Sequence, residues 1–177
     1  TLPDATVSIT STIRELQTKG EITIDVVVSN KGAANLPSQT QVQVYLSDRS
    51  QLGSASYKQL LGTLYTQTSL VPNSQETIHK TLALPDKTGS YYLIASVNPV
   101  QSVKELTYVN NDSEGYSILL DALYKIQVST NKTTYKPGEN IIITGQASGG
   151  AVAGVSVDLY VICEGNRQVI NVTTDSK

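Results

Sequence analysis

Residues 89–111, GSYYLIASVNPVQSVKELTYVNN, decide the fold of the first part of this chain. They begin as a tyrosine-rich alternating strand, residues 90–97, and continue through a long polar arch that ends at Asn110 and Asn111. A strand followed by such an arch indicates the sixth strand of a closing β-sandwich and the loop to its seventh strand. The stretch contains no catalytic pattern.

Strands on either side of this stretch complete the sandwich. The clearest is EITIDVVVSN, in which four apolar residues alternate onto one face. The first strand is expected to place Val7, Ile9 and Ile13 on one face. Turn signals recur about every 8–12 residues, which is typical of a Greek-key sandwich, and no window has a useful helical period. The seven predicted strands are residues 6–13, 21–30, 41–47, 59–65, 76–84, 90–97 and 116–120.

The rest of the chain predicts a second, incomplete sandwich. Its pattern gives four strands, at residues 124–130, 140–146, 155–163 and 167–173, whereas sandwiches usually need around seven. A unit of roughly 54 residues is also marginal by itself. We expect either that the polypeptide continues beyond Lys177, which we favour, or that a neighbouring chain supplies strands. The predicted organisation is an N-terminal extension at 1–4, a seven-strand sandwich at 5–120, a linker at 121–123 and a partial Ig-like sandwich at 124–177.

Several motifs of the first sandwich resemble those of CARDB, the cell-adhesion-related domain of bacteria and archaea. They lie in VVVSNKGAANLPSQTQVQVYLS, LLGTL and YYLIASVNPVQSVKELTYVNND, which together extend from residue 5 to about 119. The family's strand end V-x-V-x-N-x-G is present, and its E-x-x-x-x-N-N is matched by Glu105, Asn110 and Asn111. The resemblance implies an Ig-like, non-catalytic module of surface proteins, filaments or accessory regions of secreted enzymes.

The second unit resembles bacterial Ig-like or macroglobulin-like modules that open with a strand and then Y-x-P-G-E. Residues 135–139 fit that motif, and ITGQA and GVSVDLY follow it. In such modules T-D-S-K is usually followed by glycine and two more strands. The fold class we predict is therefore all-β, with tandem Ig-like Greek-key sandwiches of which the second is incomplete.

Composition argues against several classes of function. The net charge is -2 and the 13 Lys and Arg residues are scattered, so we expect no nucleic-acid partner. No apolar run approaches the roughly 20 residues of a membrane span. One cysteine excludes an internal disulfide, and one histidine, His79, makes a zinc site or a Ser-His-Asp triad unsupported. We predict no catalytic residues and no enzyme.

Calcium is the one metal that deserves weight, because loop carboxylates often hold it on surface sandwiches. Asp48 follows the third strand, and Glu105, Asp112 and Glu114 lie around the arch. The two loops are expected at opposite ends of the sandwich, so the acids should not converge, although Glu105 and Asp112 could form a partial site. A solvated loop is the favoured interpretation, and we predict no cofactor, with calcium as the alternative.

Two kinds of surface site remain candidates. Tyr108 on the arch is the tyrosine we would test first for stacking on a sugar, although tyrosines that replace all Phe and Trp more often serve packing. Asn-x-Ser/Thr sequons begin at Asn111, Asn131 and Asn171, and a glycosylating host would be expected to modify them.

These observations favour a non-enzymatic structural or adhesive module of a prokaryotic extracellular or cell-surface protein. One alternative is a filament subunit whose open second domain receives a strand from its neighbour. Another is a carbohydrate-binding accessory module of a secreted enzyme. The expected partners are other extracellular domains or copies of the same chain, joined through strand edges, and glycans.

Overall fold

The computed structural model describes residues 1–122, 125–148, 154, 156–163 and 166–175. The chain divides into two compact units, Thr1–Asp121 and Ala122–Lys177, which we call unit 1 and unit 2. The described residues form strands and one short 3-10 helix, Leu52–Ser54. This confirms the predicted all-β fold class.

Unit 1 is a sandwich of two sheets. One sheet has the strand order β1-β3-β6, and the other has the order β2-β8-β7-β4-β5. Every pairing within them is antiparallel except that of β2 with β8, which is parallel. The strands are β1 (Ala5–Thr10), β2 (Glu15–Gln17), β3 (Glu21–Asn30), β4 (Gln41–Ser47), β5 (Lys58–Tyr65), β6 (Gln75–Ala83), β7 (Gly89–Val97) and β8 (Tyr116–Asp121).

The core lies between the two sheets and follows the predicted alternation. In β3 every second side chain is at most 1% exposed, and in β4 the inward residues Val42, Val44 and Leu46 are completely buried. Three tyrosines, Tyr57, Tyr91 and Tyr116, pack against this core. Their packing agrees with the prediction that tyrosine replaces the larger apolar aromatics.

The first predicted strand, residues 6–13, is wrong in its second half. β1 ends at Thr10, and the chain then crosses to the other sheet and forms β2 beside β8. Ile13, which was expected to face inward, lies in this crossing and is 50% exposed. Because of this change of sheet, residues 5–17 supply one edge strand to each sheet.

The outer face of β7 is covered, so this strand is buried on both sides near its C-terminal end. Ile94 is completely buried although it lies outside the main core cluster. The loop after β4 folds back over this sheet, and a Cβ added at Gly115 would lie 2.8 Å from the Cα of Ser50. The loop leaves β4 at the end opposite the arch, as expected, but it folds back far enough to line a groove together with arch residues.

The chain enters and leaves unit 1 at opposite ends of the sandwich. At the C-terminal end of β7, the backbone of Pro3 accepts a hydrogen bond from the N–H of Leu106 in the arch. At the N-terminal end of β7, Gly89 pairs with Leu120. The nine residues of β7 separate these ends by about 30 Å.

Unit 2 contains two antiparallel hairpins in its described residues. Its strands are β9 (Lys125–Thr130), β10 (Ile143–Ser148), β11 (Ser156–Cys163) and β12 (Asn166–Thr173), paired β9 with β10 and β11 with β12. The four predicted strands are present, although the first residues predicted for two of them, Tyr124 and Val155, lie outside the described residues. Large apolar side chains are exposed in both hairpins, among them Ile126 at 50% and Ile162 at 70%.

The turn predicted from Y-x-P-G-E is formed. The N–H of Glu139 donates to the carbonyl of Lys136, and Gly138 has a φ of 86°. Proline at the second position and a left-handed glycine at the third are the pattern of a type II turn. No helix among the described residues is long and apolar enough to cross a membrane.

Candidate functional site

Asn30, the last residue of β3, is completely buried, and its side chain makes four hydrogen bonds. Its Oδ1 accepts from the N–H groups of Asp4 and Gly32, at 3.2 and 3.0 Å. Its Nδ2 donates to the carbonyls of Ala34 and Leu70, at 2.7 and 2.8 Å. The asparagine of V-x-V-x-N-x-G therefore joins three separate loops, which a smaller or apolar residue could not do.

Gly32, the glycine of the same motif, is required by close backbone approach. A Cβ at this position would lie 2.5 Å from backbone atoms of Leu2, Pro3 and Asp4. The next residues bind the same segment, because the N–H groups of Ala33 and Ala34 both donate to the carbonyl of Leu2. The motif thus forms a seat for residues 2–5, which we call the N-terminal segment.

Glu105 holds the N-terminal segment from the other side. This carboxylate is only 5% exposed, and its Oε2 accepts from the backbone N–H of Ala5. Its Oε1 accepts from the side-chain amides of Asn98 and Asn111, at 2.6 and 3.0 Å. All these partners are N–H donors, so Glu105 acts as a hydrogen-bond acceptor that ties the arch to β1.

The asparagines of the arch complete this network. Asn98 stands in the left-handed region, with a φ of 47°, and its Oδ1 accepts from the N–H of Val103. Asn111 donates from Nδ2 to the carbonyl of Val97 as well as to Glu105. Asn110 donates to the carboxylate of Asp4 in the N-terminal segment, at 2.9 Å. The arch is therefore a fixed structure and not the solvated loop that its composition suggests.

A groove of about 330 Å³ lies between the arch and the loop after β4. Most of its side chains are polar, and one carboxylate and one amine lie in it. Tyr108 lines the groove, while its hydroxyl accepts from the N–H of Glu105 and donates to the carbonyl of Val103. We call it the arch groove; its lining residues are Tyr45, Leu52, Gly53, Lys58, Ser96, Asn98, Pro99, Gln101, Tyr108, Asn111 and Asp112.

Tyr45 and Asp112 define the electrostatics of the arch groove. Burial raises the pKa of the Tyr45 phenol, and the negative charge of Asp112 raises it further. The phenol therefore stays protonated at neutral pH and donates to Oε1 of Gln43. Asp112 accepts a hydrogen bond from the hydroxyl of Ser96. The groove thus offers a neutral hydroxyl, a carboxylate and the Lys58 ammonium to a ligand.

The acidic residues considered as calcium ligands accept hydrogen bonds from other groups of the protein. Asp48 accepts from the backbone N–H groups of Ser56 and Tyr57, both at 3.0 Å, and so shapes its own loop. Within the described residues, no group of three or more His, Cys, Asp or Glu side chains is placed to hold a metal ion. Glu105 and Asp112, considered as a partial site, have protein partners in this structure: Glu105 accepts from three N–H groups, and Asp112 accepts from the hydroxyl of Ser96.

His79 lies on β6 opposite Asp25 of β3, and its Nδ1 is 2.5 Å from the carboxylate. The side chains of His79 and Asp25 are 73% and 48% exposed, respectively. A catalytic triad depends on a buried carboxylate that orients the imidazole. This exposed cross-strand pair does not provide one.

The three sequons differ in accessibility. Asn111 is 5% exposed, and both hydrogen bonds of its side chain use Nδ2, the atom to which a glycan would be attached, so its burial argues against modification in the folded domain. Asn131 is exposed, and the described hydrogen bonds of its side chain use Oδ1. Asn171 is also exposed, but its Nδ2 donates to Ser156 and Asp158.

The CARDB profile matches residues 2–115, which contain the N-terminal segment, its seat and the whole arch. The chain belongs to the CARDB family. CARDB domains are non-catalytic and typical of prokaryotic cell-surface proteins. The match ends before unit 2, so the resemblance of that unit to Ig-like or macroglobulin-like modules stays a prediction.

Comparison with solved structures finds several that are similar to this CARDB domain. The CARDB domain of the PF1109 protein from Pyrococcus furiosus, crystallised in complex with di-metal ions, has a TM-score of 0.52 and 24% identity, over 67% of this chain and 94% of its own. A domain, residues 272–376, named for a cell surface protein of Methanosarcina acetivorans has a TM-score of 0.47 and 21% identity, over 68% and 93%. A β-glucosidase from Listeria innocua is similar over 67% of this chain but 16% of its own, at 14% identity and a TM-score of 0.44. Among curated proteins, none matches this chain.

Proposed function

We propose that this chain is a structural spacer of a prokaryotic extracellular or cell-surface protein, in which unit 1 separates and orients the segments on either side of it. One observation carries the proposal. The polar residues of the motifs form hydrogen bonds with the N-terminal segment and the arch; these residues are Asn30, Glu105, Asn110 and Asn111. Their hydrogen bonds fix the place where the chain enters the domain.

The positions at which the chain enters and leaves unit 1 support the same function. The N-terminal segment is held at the arch, and Asp121 leaves from the opposite end of the sandwich. A module with this geometry extends the polypeptide by roughly its own length.

Domain replacement in the native host tests the spacer function. Unit 1 is exchanged for an unrelated β-sandwich of similar length whose ends also lie at opposite poles, and a second strain carries a plain deletion. Antibody against unit 2 should label intact cells of the replacement strain, and their attachment should equal that of the parent strain. If attachment is lost and only the authentic unit restores it, the spacer function is contradicted and a binding role takes its place.

The arch groove favours a second function, the binding of a saccharide. Sugar hydroxyls are recognised by a few convergent polar groups beside aromatic rings, and Tyr45, Tyr108, Lys58 and Asp112 supply such groups. In this interpretation Tyr108 keeps its role in the arch and offers its ring to the ligand.

A glycan array with matched lysine variants tests this second function. Lys58→Ala removes the exposed amine of the groove, whereas Lys80→Ala removes an exposed amine from β6, on the other sheet. Saccharide binding predicts a signal that Lys58→Ala weakens and Lys80→Ala leaves unchanged. Absence of binding to every glycan, or equal loss in both variants, would rule this function out.

Exposed apolar side chains of unit 2 support assembly with a partner. In β11 and β12 the exposed residues include Tyr160, Ile162 and Val169, at 52%, 70% and 51%. Contiguous apolar surface of this kind marks an interaction site or an open core. Light scattering after size-exclusion chromatography, at several concentrations, should show association between copies. A monomer at every concentration would contradict self-assembly.

A further inference from the structure

β2 and β8 form a parallel pair that joins the beginning of unit 1 directly to its end. Glu15 pairs with Leu119, and Gln17 pairs with Asp121. The N–H of Leu119 donates to the carbonyl of Arg14 at 2.6 Å, and the N–H of Thr18 donates to the carbonyl of Asp121 at 2.8 Å. These two bonds flank the paired residues. We call residues 14–18 with residues 116–121 the β2–β8 clamp.

Side chains reinforce the clamp at its N-terminal end. The guanidinium of Arg14 donates to the carbonyl and the hydroxyl of Ser117, both at 3.0 Å. The same guanidinium lies 4.0 Å from the centre of the Tyr116 ring, within the range of a cation–π interaction. The hydroxyl of Tyr116 donates to the carbonyl of Ser11. Both strands are therefore joined by side chains as well as by backbone.

The direction of the strands decides how the clamp responds to tension. Because β2 and β8 are parallel and the chain enters and leaves unit 1 at opposite ends of the sandwich, force applied at these two points pulls the two strands in opposite directions along one axis. The hydrogen bonds of a strand pair run across the strands, so they are loaded together in shear. A pair pulled apart from one end would instead lose them one at a time.

The N-terminal segment and β1 lie between Thr1 and the clamp along the chain. Tension at Thr1 first reaches residues 2–5 and then the pairing of β1 with β3. Once these are released, the first strand still attached is β2, and its bonded neighbour is the last strand of the domain, β8. The clamp then lies directly between the two points of force.

We propose that unit 1 is a tension-bearing domain whose resistance to stretching along the chain resides in the β2–β8 clamp. The inference rests on the proposed structural function, since a spacer between a cell and its target transmits force. Forced unfolding is governed by the unfolding rate and not by equilibrium stability. Resistance therefore depends on which bonds break together in the pulling direction.

Single-molecule force spectroscopy of the full 177-residue chain tests the proposal by comparing two pulling directions. One arrangement attaches handles at both chain ends. The other moves the N-terminal handle to residue 19, by Lys19→Cys in a Cys163→Ala background, and keeps the C-terminal handle. Force then enters at Lys19 beside Asp121 and opens the clamp from one end. Unfolding of unit 1 is recognised by an extension of roughly 400 Å in the first arrangement and about 350 Å in the second. We expect a clearly higher unfolding force when the chain ends are pulled.

A pair of proline variants tests the clamp bond by bond. The N–H of Gly20 donates to the carbonyl of Gln17, and Lys19 has a φ of 59°, so Thr18 is the second residue of a type II turn, where proline is well accepted. Thr18→Pro removes the bond to Asp121 and should raise the unfolding rate at fixed force roughly fivefold, the factor that one net hydrogen bond is worth. Gln17→Pro alters an N–H that faces the open edge of the described sheet and should change the rate much less.

Each outcome has a defined meaning. Equal unfolding forces in the two pulling directions would overturn the proposal, and so would equal rates for the two proline variants. In either case the spacer function would stand, because a spacer need not resist force. Conversely, failure of the domain replacement would remove the spacer function, and a high force along the chain ends would still establish the clamp.

Discussion

Replacing Glu105 by glutamine is expected to lower the free energy of unfolding of unit 1 by about 2–4 kcal/mol. The carboxylate accepts hydrogen bonds from three N–H groups, those of Ala5, Asn98 and Asn111. Glutamine has the same shape but only one oxygen, so its amide nitrogen must face at least one of these donors. At least one buried hydrogen bond is therefore lost, and two N–H donors are left facing each other. The remaining hydrogen bonds also lose the strengthening that the negative charge gives them.

Urea unfolding followed by tyrosine fluorescence measures this loss, since the chain has ten Tyr and no Trp. The midpoint should fall with an unchanged slope, because the surface exposed on unfolding is the same. Glu114→Gln removes the same charge from an exposed residue of the neighbouring loop and should change stability by less than about 0.5 kcal/mol. A Glu105→Gln protein as stable as the Glu114→Gln control would refute this account of the arch.

Three further results are expected. Gly32→Ala should destabilise unit 1 by about 2–3 kcal/mol in the same assay, because its Cβ would overlap backbone atoms, whereas Gly53→Ala, with open space around it, should be neutral. Burial alone would raise the pKa of Glu76, but three hydrogen bonds to its carboxylate hold that pKa below its ordinary value. The stability that the carboxylate contributes at neutral pH should therefore be lost as the pH falls through its lowered pKa, and an equally steep acid transition in Glu76→Gln would refute this. In a glycosylating host, peptide mass spectrometry should find glycan on Asn131 and not on Asn111, and modified Asn111 in folded protein would contradict its burial.

The sequence was sufficient for the strands whose side chains alternate strongly. Ile22 to Val28 in β3 and Val42 to Leu46 in β4 show their inward face directly. β2 could not be found in this way, because three residues carry too little periodicity and its partner lies about a hundred residues away. Only the topology of the whole domain makes Glu15–Gln17 a strand.

The motif residues of the polar network could be recognised in the sequence, but their structural role could not. The resemblance to CARDB singled out Glu105, Asn110 and Asn111, while a carboxylate in a polar loop suggested a solvated residue or a calcium ligand. The burial of Glu105 depends on the N-terminal segment, which packs over it. The sequence alone does not show that Ala5 contacts Glu105. The same limit made Asn111 a candidate glycan site.

Hydrogen exchange at the backbone amide of Ala5 tests the central claim most directly, namely that the CARDB motif residues hold the N-terminal segment in place. Ends of domains usually fray and exchange rapidly unless they are tied down. The hydrogen bond to Glu105 predicts that the Ala5 amide is protected nearly as well as the amides of β3, and that Glu105→Gln removes this protection first. Rapid exchange at Ala5 in the unmodified protein would show that the segment is loose and would contradict the account.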